Sequence, residues 1–108
     1  MIGMVIKETS VFTRQVGKLL DRESYRLLQL RLAGEPDAGE LIRGTGGLRK
    51  IRWEAASRGK RGGVRVIYYW VRKQDLILLL LIYSKTQQDD LTPEQRSLLK
   101  KLVREEYR

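Results

Sequence analysis

Ten Lys or Arg crowd residues 43–73 (Arg43, Arg49, Lys50, Arg52, Arg58, Lys60, Arg61, Arg65, Arg72 and Lys73), and one acid, Glu54, opposes them. That imbalance alone equals the formal net charge of the whole chain, +9, so the remaining residues balance to zero. Cations concentrated in this way call for a polyanion, most often a nucleic acid. An Arg fork grips phosphate through two hydrogen bonds, and Tyr can stack on a base. Arg49, Lys50, Arg52, Arg58, Lys60, Arg61 and Arg65 are therefore the candidate nucleic-acid contacts. Arg65 stands apart, because it is a cation at the start of an otherwise apolar strand and beside the glycine-rich basic turn. If residues 64–71 and 76–83 pair as an antiparallel meander, that turn and the end of the second strand share one edge. At about 3.3 Å per residue, Arg58, Lys60, Arg61, Arg65, Tyr83 and Lys85 then converge. The plainer reading stays open beside this one: basic turns are commonly solvated, and Tyr68, Tyr69 and Tyr83 suit sheet packing equally well.

Composition removes other chemistries. The chain has no histidine and no cysteine, so the usual general base, the commonest metal ligand and any thiolate are missing. No metal and no cofactor is expected. A length of 108 residues and an apolar fraction of 42% suit one folded domain, 1–108. The first residues lack a basic secretory n-region. The longest apolar run, 76–83, is too short to cross a bilayer, so a cytoplasmic protein with no membrane partner is expected.

The elements that must position the cations follow from periodicity. Met4, Val5 and Ile6 suit a short strand, and Thr9 or Ser10 an N-cap for a helix carrying Val11, Phe12, Val16, Leu19 and Leu20. Asp21, with Ser24 as its competitor, can cap a second helix with Tyr25, Leu28 and Leu32 on one face and Leu27 alongside. Turn chemistry over 34–39 ends it, which makes a helical hairpin. Leu41 and Ile42 suit an edge piece. The Gly44-Thr45-Gly46-Gly47 run fits neither a P-loop nor a dinucleotide fingerprint, because a strand follows it. Residues 48–55 alternate, with Ile51, Trp53 and Ala55 on one face and Lys50, Arg52 and Glu54 on the other. The near-continuous apolarity of 76–83 predicts a strand buried on both faces. Thr92, Pro93 and Gln95 form a capping box before a helix with Leu98, Leu99, Leu102 and Val103 as its stripe.

Three segments carry a resemblance: 44–53 (Gly-Thr-Gly-Gly-Leu-Arg-Lys-Ile-Arg-Trp), 58–69 (Arg-Gly-Lys-Arg-Gly-Gly-Val-Arg-Val-Ile-Tyr-Tyr), and Ile82-Tyr83-Ser84-Lys85 with Asp90-Leu91-Thr92. Together they resemble the HigB branch of the RelE/ParE toxin superfamily, over nearly the whole chain. The resemblance implies an α+β fold: a small antiparallel β-sheet with an N-terminal helical hairpin and a C-terminal helix. It also implies a type II toxin that cleaves mRNA on the ribosome, and a cognate antitoxin protein as partner. Arg65 matches the strand arginine that the family sets against the scissile phosphate. Arg58, Lys60 and Arg61 match the basic loop before it, and Lys85 the basic position ending the last strand. Where RelE has a tyrosine that helps activate the nucleophile, Leu91 or its neighbours stand here, and Tyr83 is the candidate substitute.

Cleavage of that kind needs no metal, since the 2′-OH attacks the adjacent phosphate and fixed cations stabilise the growing charge. A lysine crowded by arginines has its charged form disfavoured, which makes Lys60 or Lys85 a candidate base, with Glu54 the other. The rival expectations are a non-catalytic, ParE-like inhibitor of DNA gyrase and a basic RNA-binding module. The convergent cations favour cutting, and no helix-turn-helix pattern supports a DNA-binding antitoxin.

Overall fold

The computed structural model describes residues 3–54 and 63–107. The basic-loop candidates Arg58, Lys60 and Arg61, and Ala55 of the expected strand, lie outside the described residues. In chain order the elements are β1 (Val5–Glu8), α1 (Ser10–Leu19), α2 (Arg22–Gly34), β2 (Glu40–Leu41), β3 (Arg49–Trp53), β4 (Val64–Val71), β5 (Leu76–Ser84) and α3 (Pro93–Tyr107). The strands form one sheet in the order β1-β5-β4-β3-β2. The sheet is antiparallel except at one edge, where β1 runs parallel to β5, so it is mixed rather than wholly antiparallel. Both expected N-caps are present: Thr9 accepts from the Phe12 N–H and Asp21 from the Ser24 N–H. The capping box is reciprocal, with the Gln95 N–H donating to Thr92 Oγ1 and the Thr92 N–H to Gln95 Oε1.

Each face of the sheet carries its own core. Phe12, Val16 and Leu20 of the α1 segment and Leu28 and Leu32 of α2 cover Ile51, Val64, Val66, Tyr68, Ile77 and Leu79. On the other face, Val103 of α3 and the preceding Leu91 cover Leu48, Ile67, Leu76, Leu78, Leu80 and Tyr83. The two apolar faces of β5, read from sequence as burial on both sides, are thus each roofed by helix. Leu98 departs from the expected stripe: it is 68% exposed and points away from the sheet. Val11 and Leu27 are likewise exposed, at the margins of their helices. Among the described residues, no helix is long and apolar enough to cross a membrane.

The pairing of β4 with β5 contains one irregularity. Ile67 faces Leu81 but Tyr68 faces Leu79, so Leu80 is an extra residue on β5. A bulge of this kind resets the two-residue alternation. Leu76, Leu78 and Leu80 face α3 before the reset, and Tyr83 faces it afterwards. Thr9 holds the irregular segment. Its N–H donates to the Leu79 carbonyl at 3.0 Å, and its hydroxyl donates to the Leu80 carbonyl at 2.8 Å. One residue therefore caps α1 and occupies the bulge carbonyl at the same time.

Thr9→Val removes the hydroxyl with little change of volume. The lost cap and the unpaired carbonyl should together cost about 1–3 kcal/mol. Thr9→Ser should recover most of it. Urea denaturation midpoints of the three proteins check this, and equal midpoints for Thr9→Val and wild type would contradict the role given to the bulge contact.

Candidate nucleic-acid interface

Arg65 is the second residue of β4 and is only 6% exposed, a rare degree of burial for arginine. Its register partners are Arg52 on β3 and Tyr83 on β5. Residues directly opposite in an antiparallel ladder share a face with Cβ atoms about 5 Å apart, so Arg52, Arg65 and Tyr83 form one row across the sheet. Two arginines directly opposite repel each other, and an anion between them would remove that cost. Arg52 is exposed at the open side of the row.

The next row carries Lys50 opposite Ile67. Lys50 Nζ lies 3.3 Å from Asp90 Oδ1, an ion pair that joins β3 to the segment leading into α3. Burial alone would push the Asp90 carboxyl up, but the Leu91 N–H and the charges of Lys50 and Arg96 outweigh it and hold the pKa below the usual value. Asp90 and Arg96 thus belong to this cluster. The sequence named Asp90 only within the Asp90-Leu91-Thr92 motif, without a place in the site, and Arg96 not at all; their placement around the capping box that begins α3 was the further signal.

Tyr83 is 3% exposed, and its hydroxyl has no hydrogen-bond partner among the described residues. Burial pushes its pKa up to about 12, the Asp90 charge adds to this, and Arg65 partly offsets it. The phenol therefore stays protonated at neutral pH, a donor held in a cationic row. Lys85 follows β5 at the same end of the sheet, where its N–H meets the Gly63 carbonyl at 3.4 Å and its side chain is exposed. Gly63 has φ +56, and a Cβ there would lie 2.4 Å from the Trp53 carbonyl, so β3 and β4 close on each other only with glycine at this position.

The structure thus brings Lys50, Arg52, Arg65, Tyr83 and Lys85 to one end of the sheet. It does not bring Arg49 there. Arg49 is paired with Tyr68, on the opposite face, and its guanidinium donates to the carbonyls of Asp37 and Gly39. Among the described residues, no group of three or more His, Cys, Asp or Glu is placed to hold a metal ion.

No model of a known protein family matches the chain. Its fold does match solved toxin structures. A mutant of the E. coli toxin RelE in the free state superposes with a TM-score of 0.59 at 13% identity, over 82% of this chain and 90% of that one. The RelBE toxin–antitoxin complex from Mycobacterium tuberculosis gives 0.55 at 19% identity, over 78% and 93%. The archaeal RelE–RelB complex from Pyrococcus horikoshii gives 0.51 at 23% identity, over 81% and 100%. The chain therefore has the α+β fold of the RelE toxins.

A buried hydroxyl without a partner is destabilising unless a ligand uses it. Tyr83→Phe should therefore leave stability at neutral pH unchanged or slightly raised. It should also reduce the loss of stability at high pH. A tyrosine whose folded pKa is raised to about 12 supports the fold fully below about pH 10 and loses that contribution as pH rises through the folded value. Denaturant titrations at neutral pH and near pH 11 check both points. A Tyr83→Phe protein that is clearly less stable at neutral pH would mean the hydroxyl already has a structural partner.

Proposed function

We propose that this chain is the toxin of a type II toxin–antitoxin system, a metal-independent endoribonuclease that cleaves mRNA on the ribosome. The observation that carries the reading is the row Arg52–Arg65–Tyr83, in which a buried arginine, an exposed one and a protonated phenol share one face. The RelE fold and the HigB-like residues of 44–53, 58–69 and 82–85 support it. The proposed substrate is mRNA in the cytoplasm, ordered by the ribosome, and the proposed regulator is a cognate antitoxin whose acidic segment covers the cations.

In the reaction the ribose 2′-OH gives its proton to a base and its oxygen attacks the neighbouring phosphorus. The P–O5′ bond breaks, the 5′-oxygen takes up a proton, and a 2′,3′-cyclic phosphate remains. Arg65 and Arg52 sit where a phosphate crossing the row would place its non-bridging oxygens, and they stabilise the charge that grows there. Tyr83, kept protonated, donates to a phosphoryl oxygen or to the departing 5′-oxygen. Lys85, two residues beyond Tyr83 and exposed, is the candidate base, with Lys60 and Glu54 as the other candidates. Lys50 is tied to Asp90 and adds positive potential behind the row. Where the ribosome supplies positioning, a weak base suffices.

Arg65→Ala removes the central donor and should lower cleavage by about 10²–10³. Arg65→Lys should recover it only in part, because a point charge does not reproduce the planar fork. Primer extension on mRNA from cells expressing each variant, with thermal unfolding alongside, is the test. Translation-dependent cuts by the wild type that disappear in a folded Arg65→Ala protein are expected. Growth arrest without any cuts would favour inhibition of DNA gyrase, and full cleavage by Arg65→Ala would remove Arg65 from the mechanism.

A further inference from the structure

An acid sits among the cations of the α3 face, beside the proposed cleavage row but outside it. Lys50 pairs with Ile67, and Arg52 pairs with Arg65, which pairs with Tyr83, so these residues all belong to the face that α3 roofs. Leu91 packs on the same face, and the Asp90 carboxylate next to it reaches Lys50 Nζ at 3.3 Å. The charges of Lys50 and Arg96 act on this carboxylate, and its own charge acts on Tyr83. Arg96 is half-buried, and its Nε has no hydrogen-bond partner among the described residues. A negative group is thus already lodged among Lys50, Arg96 and Tyr83.

The backbone holds Asp90 in this place. Gln88 Nε2 donates to the Asp90 carbonyl at 2.7 Å and to Gln95 Oε1 at 2.9 Å, which ties the segment to the capping box of α3. Asp90 Oδ1 accepts from the Leu91 N–H at 2.8 Å and from Lys50. These two bonds differ in kind. The Leu91 N–H is fixed in the chain, whereas Lys50 is a point charge on a flexible four-carbon stem. It can turn to another anion while the carboxylate keeps Leu91. The Asp90 side chain is 52% exposed, and an ion pair so open on one side is favoured by no more than about 5-fold. A phosphate on a strand already held by Arg52 and Arg65 arrives at high local concentration and can take over Lys50. Lys50 and Arg52 are two residues apart on β3, about 6.6 Å at 3.3 Å per residue, close to the step between successive phosphates of a single strand.

We propose that Lys50 is a second phosphate subsite for the RNA and that Asp90 is its built-in stand-in: the phosphate next to the scissile one replaces the Asp90 carboxylate as the partner of Lys50. The inference rests on the reading of Arg52–Arg65–Tyr83 as an RNA-cleaving row. Asp90 is then a brake on binding, since RNA must break an ion pair to use Lys50. Such an exchange leaves a trace in the salt dependence. The phosphate that Lys50 neutralises releases a counterion, but the bared Asp90 takes one up, so Lys50 adds nothing to the salt slope of the wild type. Without the carboxylate it adds its full share, about 0.7 for a single strand.

Fluorescence anisotropy of a labelled 2′-O-methyl oligouridylate, which lacks the attacking hydroxyl, tests the exchange when titrated with the full chain at several salt concentrations. Asp90→Asn keeps an acceptor for the Leu91 N–H but no charge. It should bind about 2- to 5-fold tighter than wild type, with a slope of log affinity against log salt steeper by about 0.7. Adding Lys50→Gln to Asp90→Asn should return both quantities to wild-type values. Thermal unfolding shows that each variant is folded, and Asp90→Ser removes the same charge should Asp90→Asn fail to fold. Unchanged or weaker binding by a folded neutral variant, a gain that survives Lys50→Gln, or a wild type that binds no RNA would overturn the subsite. A gain for an oligoglutamate peptide but not for the RNA would assign the pair to an acidic protein and overturn it equally. Primer extension on mRNA from cells expressing the same variants separates this inference from the nuclease reading. Translation-dependent cuts by the wild type with no gain in Asp90→Asn binding would remove the subsite and leave the nuclease. The full gain in binding with no cuts by any variant would do the reverse.

Discussion

Leu80 is one residue more than the β4–β5 ladder needs, and the placement of the candidate site depends on it. Without the shift, Tyr83 would share a face with Ile77 and Leu79, under the helical hairpin and away from Arg65. With the shift it shares the α3 face and stands directly opposite Arg65. The irregularity leaves carbonyls outside the ladder, and Thr9 occupies one of them while also starting α1. The first helix, the register of the central strands and the geometry of the cationic row are therefore linked through a single threonine. A buried polar group left without a partner costs about 1–3 kcal/mol, so the linkage is strong enough to specify the register.

The electrostatics of the row follow from the same geometry. Opposed arginines on neighbouring strands are unfavourable in a resting sheet, and burial of Arg65 raises the cost of its charge. Asp90 supplies a nearby negative charge without occupying the row, since its carboxylate is committed to Lys50 and the Leu91 N–H. Arg52 is exposed, and the Tyr83 hydroxyl has no hydrogen-bond partner among the described residues. Opposed like charges and a buried hydroxyl of this kind are the features that make the row a candidate site.

Most of the architecture was legible in sequence, because it rests on local signals. Thr9, Asp21 and the Thr92–Gln95 box fix helix starts through side-chain-to-backbone hydrogen bonds, and the apolar 76–83 run announces a strand buried on both sides. Antiparallel pairing of 64–71 with 76–83, expected from the sequence, also brings Arg65 beside Tyr83. What sequence did not show was non-local. The parallel pairing of β1 with β5 depends on contacts 71 residues apart. The outward turn of Leu98 depends on how α3 is rotated over the sheet. Arg49 is a different case: the alternation over 48–55 already set it with Ile51 and Trp53, opposite Lys50 and Arg52, and choosing contacts by charge alone passed over that parity. Asp90 carries the opposite charge to the site it joins, so a search for cations passes over it.

The central claim is that Arg65 and Tyr83 act on one phosphate as a unit, and a double-mutant cycle tests this most directly. Single-turnover cleavage of ribosome-bound mRNA would be measured for wild type, Arg65→Lys, Tyr83→Phe and the double variant. Groups that act together lose little more when both are changed than when one is. The account predicts that the double variant is about as slow as the slower single variant. Rate losses that multiply independently would contradict it.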